Sequence, residues 1–275
     1  MHSPTFVNRV LPDLAHVWRA GELGSANLPT VGTGYAGLDQ VLPGGGWPQG
    51  ALIELLQAQA GLHEWGLLVP ALAAVQALLP GQLMVLVGAP YRPFGPALGA
   101  RQLNMQRLLC VHAQKGNAPA LLWATREALQ CADVAAVLAW LPDARSAHLR
   151  RLQIAAHAHN KLLFVLRPPL AQHESSPAPL RLLLEGSLNA AGKLAVTVLK
   201  RRGPSLASPV LLDTRPARLA ALLTASRERV RHRREEAIAL TLTPLIPGAS
   251  PALADLSDLL RKPVHALDRT ASLHH

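Results

Sequence analysis

The stretch Gln57-Ala58-Gln59-Ala60-Gly61-Leu62-His63-Glu64-Trp65-Gly66 joins an apolar segment, Ile53-Glu54-Leu55-Leu56, to a helical one. A phosphate-binding loop works at such a place: a glycine-rich turn aims backbone N–H groups at a phosphate, and a lysine and a hydroxyl complete the site in the order GxxxxGK[ST]. Here both groups are missing. No Lys precedes Lys115, and no Ser or Thr lies between Thr33 and Thr125, so neither is merely displaced by a residue or two. His63 is a weak substitute for the lysine, and the Glu64 carboxylate would repel a phosphate while losing its own solvent. Hydrolysis would further require an acid at the end of a neighbouring strand to organise Mg²⁺ and water. The best-placed strand ends Ala139-Trp140-Leu141-Pro142, with Asp143 only in the following turn. Gln57, Gly61, His63, Glu64 and Gly66 therefore outline a degenerate phosphate loop, with Trp65 placed to plug the seat; no catalytic residue, cofactor or metal is expected.

The remaining candidates are basic. Residues 1–140 carry 7 Lys+Arg against 7 Asp+Glu, whereas residues 141–275 carry 20 against 10, so the whole net charge of +10 is downstream. Such a surface attracts nucleic acid or an acidic protein through long-range, salt-sensitive forces. Lys200, Arg201 and Arg202 end a strand and are candidate contacts to DNA or a partner. Arg227, Arg231 and Arg234 fall on one helical face at i, i+4 and i+7, and a solvated charged helix explains them nearly as well. His157 and His159 have no Cys or carboxylate nearby and make a poor metal site. Cys110 and Cys131 lack CxxC spacing and read as two buried thiols. Trp47, Trp65, Trp123 and Trp140 read as packing residues.

The elements that must position these groups alternate. An apolar strand over Ala51 to Leu56 leads to a helix over Glu64 to Leu79 and a second strand over Leu83 to Val87. A helix over Ala118 to Cys131, a strand over Val134 to Trp140, a helix over Asp143 to His159 and a strand over Leu162 to Leu166 follow. Continuous apolar strands imply burial on both faces, so the expected fold is α/β, a doubly wound, mainly parallel sheet with helices on both faces. Beyond Pro168, short strands over Leu180 to Leu188, Leu194 to Arg201 and Val210 to Asp213 predict an antiparallel C-terminal extension. The expected organisation is an N-terminal helix and linker over 1–30, a core with a basic C-terminal helix over 31–240, and a Pro/Ala-rich, partly disordered tail over 241–275. Leu14, Val17 and Trp18 in the first segment, and Leu253, Leu256 and Leu260 in the last, line amphipathic faces suited to docking on a partner. No run approaches the roughly 20 apolar residues of a membrane span, and no leader pattern opens the chain, so a cytoplasmic protein is expected.

Thr33-Gly34-Tyr35-Ala36-Gly37-Leu38-Asp39, Leu42-Pro43-Gly44-Gly45-Gly46-Trp47-Pro48-Gln49-Gly50 and Ile53-Glu54-Leu55-Leu56 together resemble the entry to a RecA-like recombinase core. In particular they resemble the ImuA family of translesion-DNA-synthesis-associated proteins, itself similar to the SulA cell-division inhibitors, over roughly residues 30–215. The resemblance implies a non-catalytic accessory factor of the SOS response to DNA damage. It would act in error-prone synthesis with an ImuB-type, Y-family-like polymerase protein and a second, replicative-type polymerase subunit, and the RecA recombinase is a further candidate partner. Direct DNA contact is a second expectation. The alternative is a SulA-like inhibitor of cell division that binds a tubulin-like filament protein.

Overall fold

The computed structural model describes residues 28–114, 116–187 and 192–242. The chain falls into two units, Met1–Ala221 and Leu222–His275. In the first, β1 (Thr30–Val31) and β2 (Trp47–Pro48) pair antiparallel, with Thr30 opposite Pro48. A Cβ at Gly46 would lie 2.2 Å from the Val31 carbonyl oxygen, so only glycine permits this close pairing. Between the two strands, α1 (Ala36–Asp39) is a single turn held by side chains of the sequence motif. The Thr33 N–H donates to Asp39 Oδ1 at 2.8 Å, and the Tyr35 N–H donates to the Thr33 hydroxyl at 3.1 Å.

The main sheet then builds up in sequence: β3 (Ala51–Gln57), α2 (Glu64–Leu78), β4 (Leu83–Val87), α3 (Gly95–Gly99), β5 (Leu108–Val111), α4 (Ala118–Gln130), β6 (Val134–Trp140), α5 (Ser146–Ala158), β7 (Leu162–Arg167), β8 (Leu180–Gly186), β9 (Leu194–Lys200) and β10 (Val210–Leu212). Its eight strands lie in the order β10-β9-β8-β3-β7-β6-β4-β5. The fold is α/β, a mostly parallel mixed sheet wound on both sides, as a RecA-like core requires. Ile53 and Leu55 of β3 pack with Leu67, Leu68 and Leu72 of α2 on one face; Leu52, Val137 and Leu163 pack with Leu149, Leu152 and Ala156 of α5 on the other. All residues of β3, β6 and β7 are buried, which is why these strands read as apolar runs, broken only by Glu54 inside β3 and by the polar last residues Gln57 and Arg167.

The extension differs from expectation in one respect. Strand β8 runs parallel to β3, with Ile53 opposite Leu180, and the antiparallel pairing begins only at β9. A parallel neighbour needs a crossover of a dozen or so residues, and residues 168–179 supply it without a helix longer than the short 3₁₀ stretch Pro169–His173.

Helix α2 contains Pro70, whose ring nitrogen has no hydrogen to donate to the Gly66 carbonyl four residues back. That oxygen accepts instead from the Tyr35 hydroxyl at 2.6 Å and from Arg101 Nη2 at 3.3 Å. Burial pushes the Tyr35 phenol above its ordinary value, against the opposing pull of Arg101. Helix α6 (Ala217–Leu242) starts in the first unit and continues in the second, where Arg227, Arg231 and Arg234 are all exposed. No helix among the described residues is long and apolar enough to cross a membrane.

One carboxylate lies inside this apolar sheet. Glu54, in the middle of β3, is 0% exposed. It accepts from Arg167 Nη1 at 2.8 Å and from Arg181 Nε at 2.6 Å. Arg181 Nη2 also donates to the Ala171 carbonyl at 2.6 Å, and its Nη1 to those of Gln172 and Glu174 at 3.3 and 3.2 Å. The second hand of Arg167 holds Glu174 at 2.7 Å. The crossover is thus tied to the sheet through guanidinium groups. Glu54→Ala, which leaves buried Arg181 without a carboxylate and Arg167 with Glu174 alone, is expected to cost about 3–5 kcal/mol. Guanidinium chloride unfolding checks this, and a midpoint equal to that of the unaltered protein would contradict it.

Candidate functional site

Helix α2 begins at Glu64 after β3 and a six-residue turn region, residues 58–63, so the pattern GxxxxGK[ST] can be laid on the strand–helix junction residue by residue. Gln57 and Leu62 then stand at the two glycine positions, His63 at the lysine and Glu64 at the hydroxyl. The backbone still curls as a cradle: Gly61 has φ +88°, which its missing side chain permits. The Gly61 N–H donates to Glu64 Oε1 at 2.5 Å, and the His63 N–H donates to Glu64 Oε2 at 3.2 Å. Gln57 Nε2 donates to Glu64 Oε2 at 2.9 Å. The Glu64 side chain is buried. Its carboxylate therefore holds the place an incoming phosphate would take, at a helix N-terminus that favours negative charge.

This corrects the expectation in its mechanism. Glu64 does not sit beside an open seat and repel a ligand; it fills the seat and takes the Gly61 and His63 N–H groups. Trp65 is not the plug, because its ring packs on Trp140, with centroids 6.3 Å apart. Gly66 is not part of the cradle either: a Cβ there would meet Thr214 Oγ1 at 2.9 Å, so its bareness serves close packing against the segment after β10. Arg101 braces the same junction, donating from Nη2 to the Thr214 carbonyl at 3.0 Å. Next to Thr214, Arg215 Nε donates to Asp213 Oδ1 at 2.7 Å, and this hydrogen bond is the main reason the Asp213 carboxyl is lowered to about 2.

The cleft at the carboxyl ends of β3, β6 and β7 has a volume of about 310 Å³. Leu121, Trp140, Pro142, Leu166 and Pro168 make it apolar, and Gln57 and Arg167 are its polar lining. No carboxylate lines it, so the acid that would organise Mg²⁺ has no counterpart there. Among the described residues, no group of three or more His, Cys, Asp or Glu could hold a metal ion.

The basic candidates separate. Lys200 Nζ donates to the Ser176 carbonyl at 2.9 Å; Arg201 Nε donates to that of Pro204 at 2.7 Å and its Nη1 to that of Val41. Both brace the chain internally. Arg202 is exposed and lines a hollow of about 300 Å³ with Thr30, Pro43, Pro48 and Leu180. On α6, Arg231 reaches Glu235 at 3.6 Å. Leu14, Val17, Trp18, Leu253, Leu256 and Leu260 lie outside the described residues. Two other readings change: neither thiol is buried, Cys131 being exposed and Cys110 half-buried, and Trp123 is 64% exposed rather than packed. The Glu54, Arg167 and Arg181 cluster was missed altogether; the available signal was a lone acid inside the apolar run of β3.

Glu64→Ala is expected to leave three donors without an acceptor and to lower stability by about 1–3 kcal/mol, while calorimetric titration with Mg-ATP shows no heat for the unaltered protein or the variant. Thermal melting and calorimetry check both statements, and ATP heat from either protein would refute the second. Asp213 has its folded value below its unfolded one, so it stabilises the fold above pH 4 and loses that contribution as pH falls toward 2. The stability gap between the unaltered protein and Asp213→Asn should therefore close across that window in an acid titration followed by circular dichroism. No family model matches the chain, and no curated protein matches it either, so the use of this site has to be argued from its own side chains.

Proposed function

We propose that the protein is a non-catalytic, RecA-like accessory factor in damage-induced, error-prone translesion synthesis, and that it scaffolds a Y-family-like polymerase protein and a second polymerase subunit. The observation that carries the non-catalytic part is the Glu64 carboxylate seated on the Gly61 and His63 N–H groups. A loop whose own carboxylate takes two of its N–H groups offers a phosphate a seat already filled, and the one cation lining the cleft beside it, Arg167, is committed to Glu54 and Glu174. What the strand–turn–helix frame retains is its shape, and shape serves binding. The assignment to translesion synthesis rests on the resemblance of the 33–56 segment to the ImuA family.

Deletion of the gene in its source organism should reduce ultraviolet-induced mutation frequency toward the spontaneous level. Both the unaltered gene and His63→Ala, altered at the lysine position, should restore it. Unchanged mutagenesis on deletion would remove the translesion role, and filamentation on expression without damage would point to division inhibition instead. Failure of a folded His63→Ala protein to restore mutagenesis would remove the non-catalytic reading.

A further inference from the structure

Helices α4 and α5 lie side by side on one face of the sheet, and a groove of about 530 Å³ runs between them. Its floor is apolar: Pro119 and Leu122 come from α4 and Leu152 from α5. Trp123 stands at its wall, the most exposed tryptophan among the described residues. Indole burial is among the largest single gains a surface can offer, so an exposed tryptophan beside an apolar floor is costly unless something covers it.

The rim is positive. Arg126 of α4, Arg145 at the start of α5 and Arg151 on α5 all line the groove and are exposed, against the single carboxylate of Asp143; His148 is the remaining ionisable group. Among the described residues, no ion pair engages any of the three guanidinium groups. They differ in this from Arg167, Arg181 and Arg215, which are consumed by internal carboxylates. None of the lining residues belongs to the phosphate loop.

We propose that this groove docks an acidic, amphipathic peptide segment of a partner protein, with aliphatic or aromatic anchors seated against Trp123 and Leu122 and carboxylates paired with Arg126, Arg145 and Arg151. Charge complementarity selects the occupant. A single-stranded nucleic acid would need a track of cations with several stacking platforms; this groove has one aromatic ring, an aliphatic floor and a carboxylate in its wall. An anchor-and-carboxylate peptide matches both halves of the lining, since bidentate Arg–carboxylate pairs add direction to apolar burial. The proposal goes beyond the scaffold reading and does not require the translesion assignment.

A display library of random 16-residue peptides, selected on the full-length protein and counter-selected on Trp123→Ala, tests it. The enriched peptides should combine Asp or Glu with Leu, Phe or Trp. They should bind at least tenfold more weakly to Trp123→Ala and to the double variant Arg145→Glu/Arg151→Glu, and weaken further as salt rises from 50 to 300 mM. Both variants change exposed side chains, and matched circular dichroism melts confirm their folding. Enrichment of no peptide that depends on Trp123, or enrichment of basic peptides, overturns the proposal. So does Trp123-dependent binding of a 15-residue oligothymidylate that displaces the selected peptides. Loss of mutagenesis in the deletion strain bears on the scaffold reading alone, so the two can fail separately.

Discussion

The buried carboxylate of Glu54 ties the C-terminal half of the sheet to its parallel core. Strand β8 joins β3 in parallel without the covering helix that usually makes such a crossover, so the connecting chain has little apolar surface of its own to hold it down. Arg181 solves this by reaching from β8 to the carbonyls of Ala171, Gln172 and Glu174 in the connection while it keeps Glu54. Arg167 reaches Glu54 and Glu174 from the other side. Replacing such a cluster with apolar residues can be energetically neutral. What the cluster adds is direction, because planar guanidinium groups accept one geometry of carboxylate where a hydrocarbon contact would accept several.

The same logic of internal satisfaction runs through the phosphate loop. A strand–turn–helix junction carries unpaired N–H groups by construction, and they must find an acceptor. In a nucleotide-binding protein the phosphate provides it. Here the first residue of α2 does so, and the helix dipole adds to the stabilisation of that carboxylate. The loop can therefore fold without a ligand, and the Gly66–Thr214 and Arg101–Thr214 contacts pack the far side of the junction against the segment following β10. Pro70 belongs to the same compensation: the carbonyl it cannot serve is taken by Tyr35 and Arg101.

Strands buried on both faces were legible from the sequence. The expected bounds of β4 and β6 coincide with the observed ones, and those of β3 and β7 fall one residue short, because continuous apolar runs bounded by turn residues admit few alternatives. Strand β5 was not read, since Leu108–Val111 is a short edge strand that makes only one pairing and has no apolar alternation of its own. The β1–β2 ribbon escaped for a related reason: two residues carry no periodicity. Strand β8 was read as antiparallel because its pairing with β3 is long-range, with Arg181 meeting Glu54 127 residues away, and no local pattern encodes it. At the phosphate loop the missing groups were legible, but the seating of Glu64 in the cradle was not, because it depends on the turn conformation at Gly61.

Charge shows most clearly why position outweighs count. The basic excess downstream of residue 140 suggests a nucleic-acid surface when read as a total. In the fold, Arg167 and Arg181 are spent on Glu54, Arg215 on Asp213, and Lys200 and Arg201 on main-chain carbonyls. A cation paired with an internal carboxylate contributes little to a field that an incoming partner would feel, since the pair's dipole falls off far faster than a free charge, whereas Lys200 and Arg201 keep their charge but have their side chains tied down by neutral carbonyls. The electrostatics open to a partner in the first unit are therefore those of the cations left over, and three of these, Arg126, Arg145 and Arg151, converge on one apolar groove. Arg126 comes from the half of the sequence whose formal charge is zero, so a census by halves would have passed over this face.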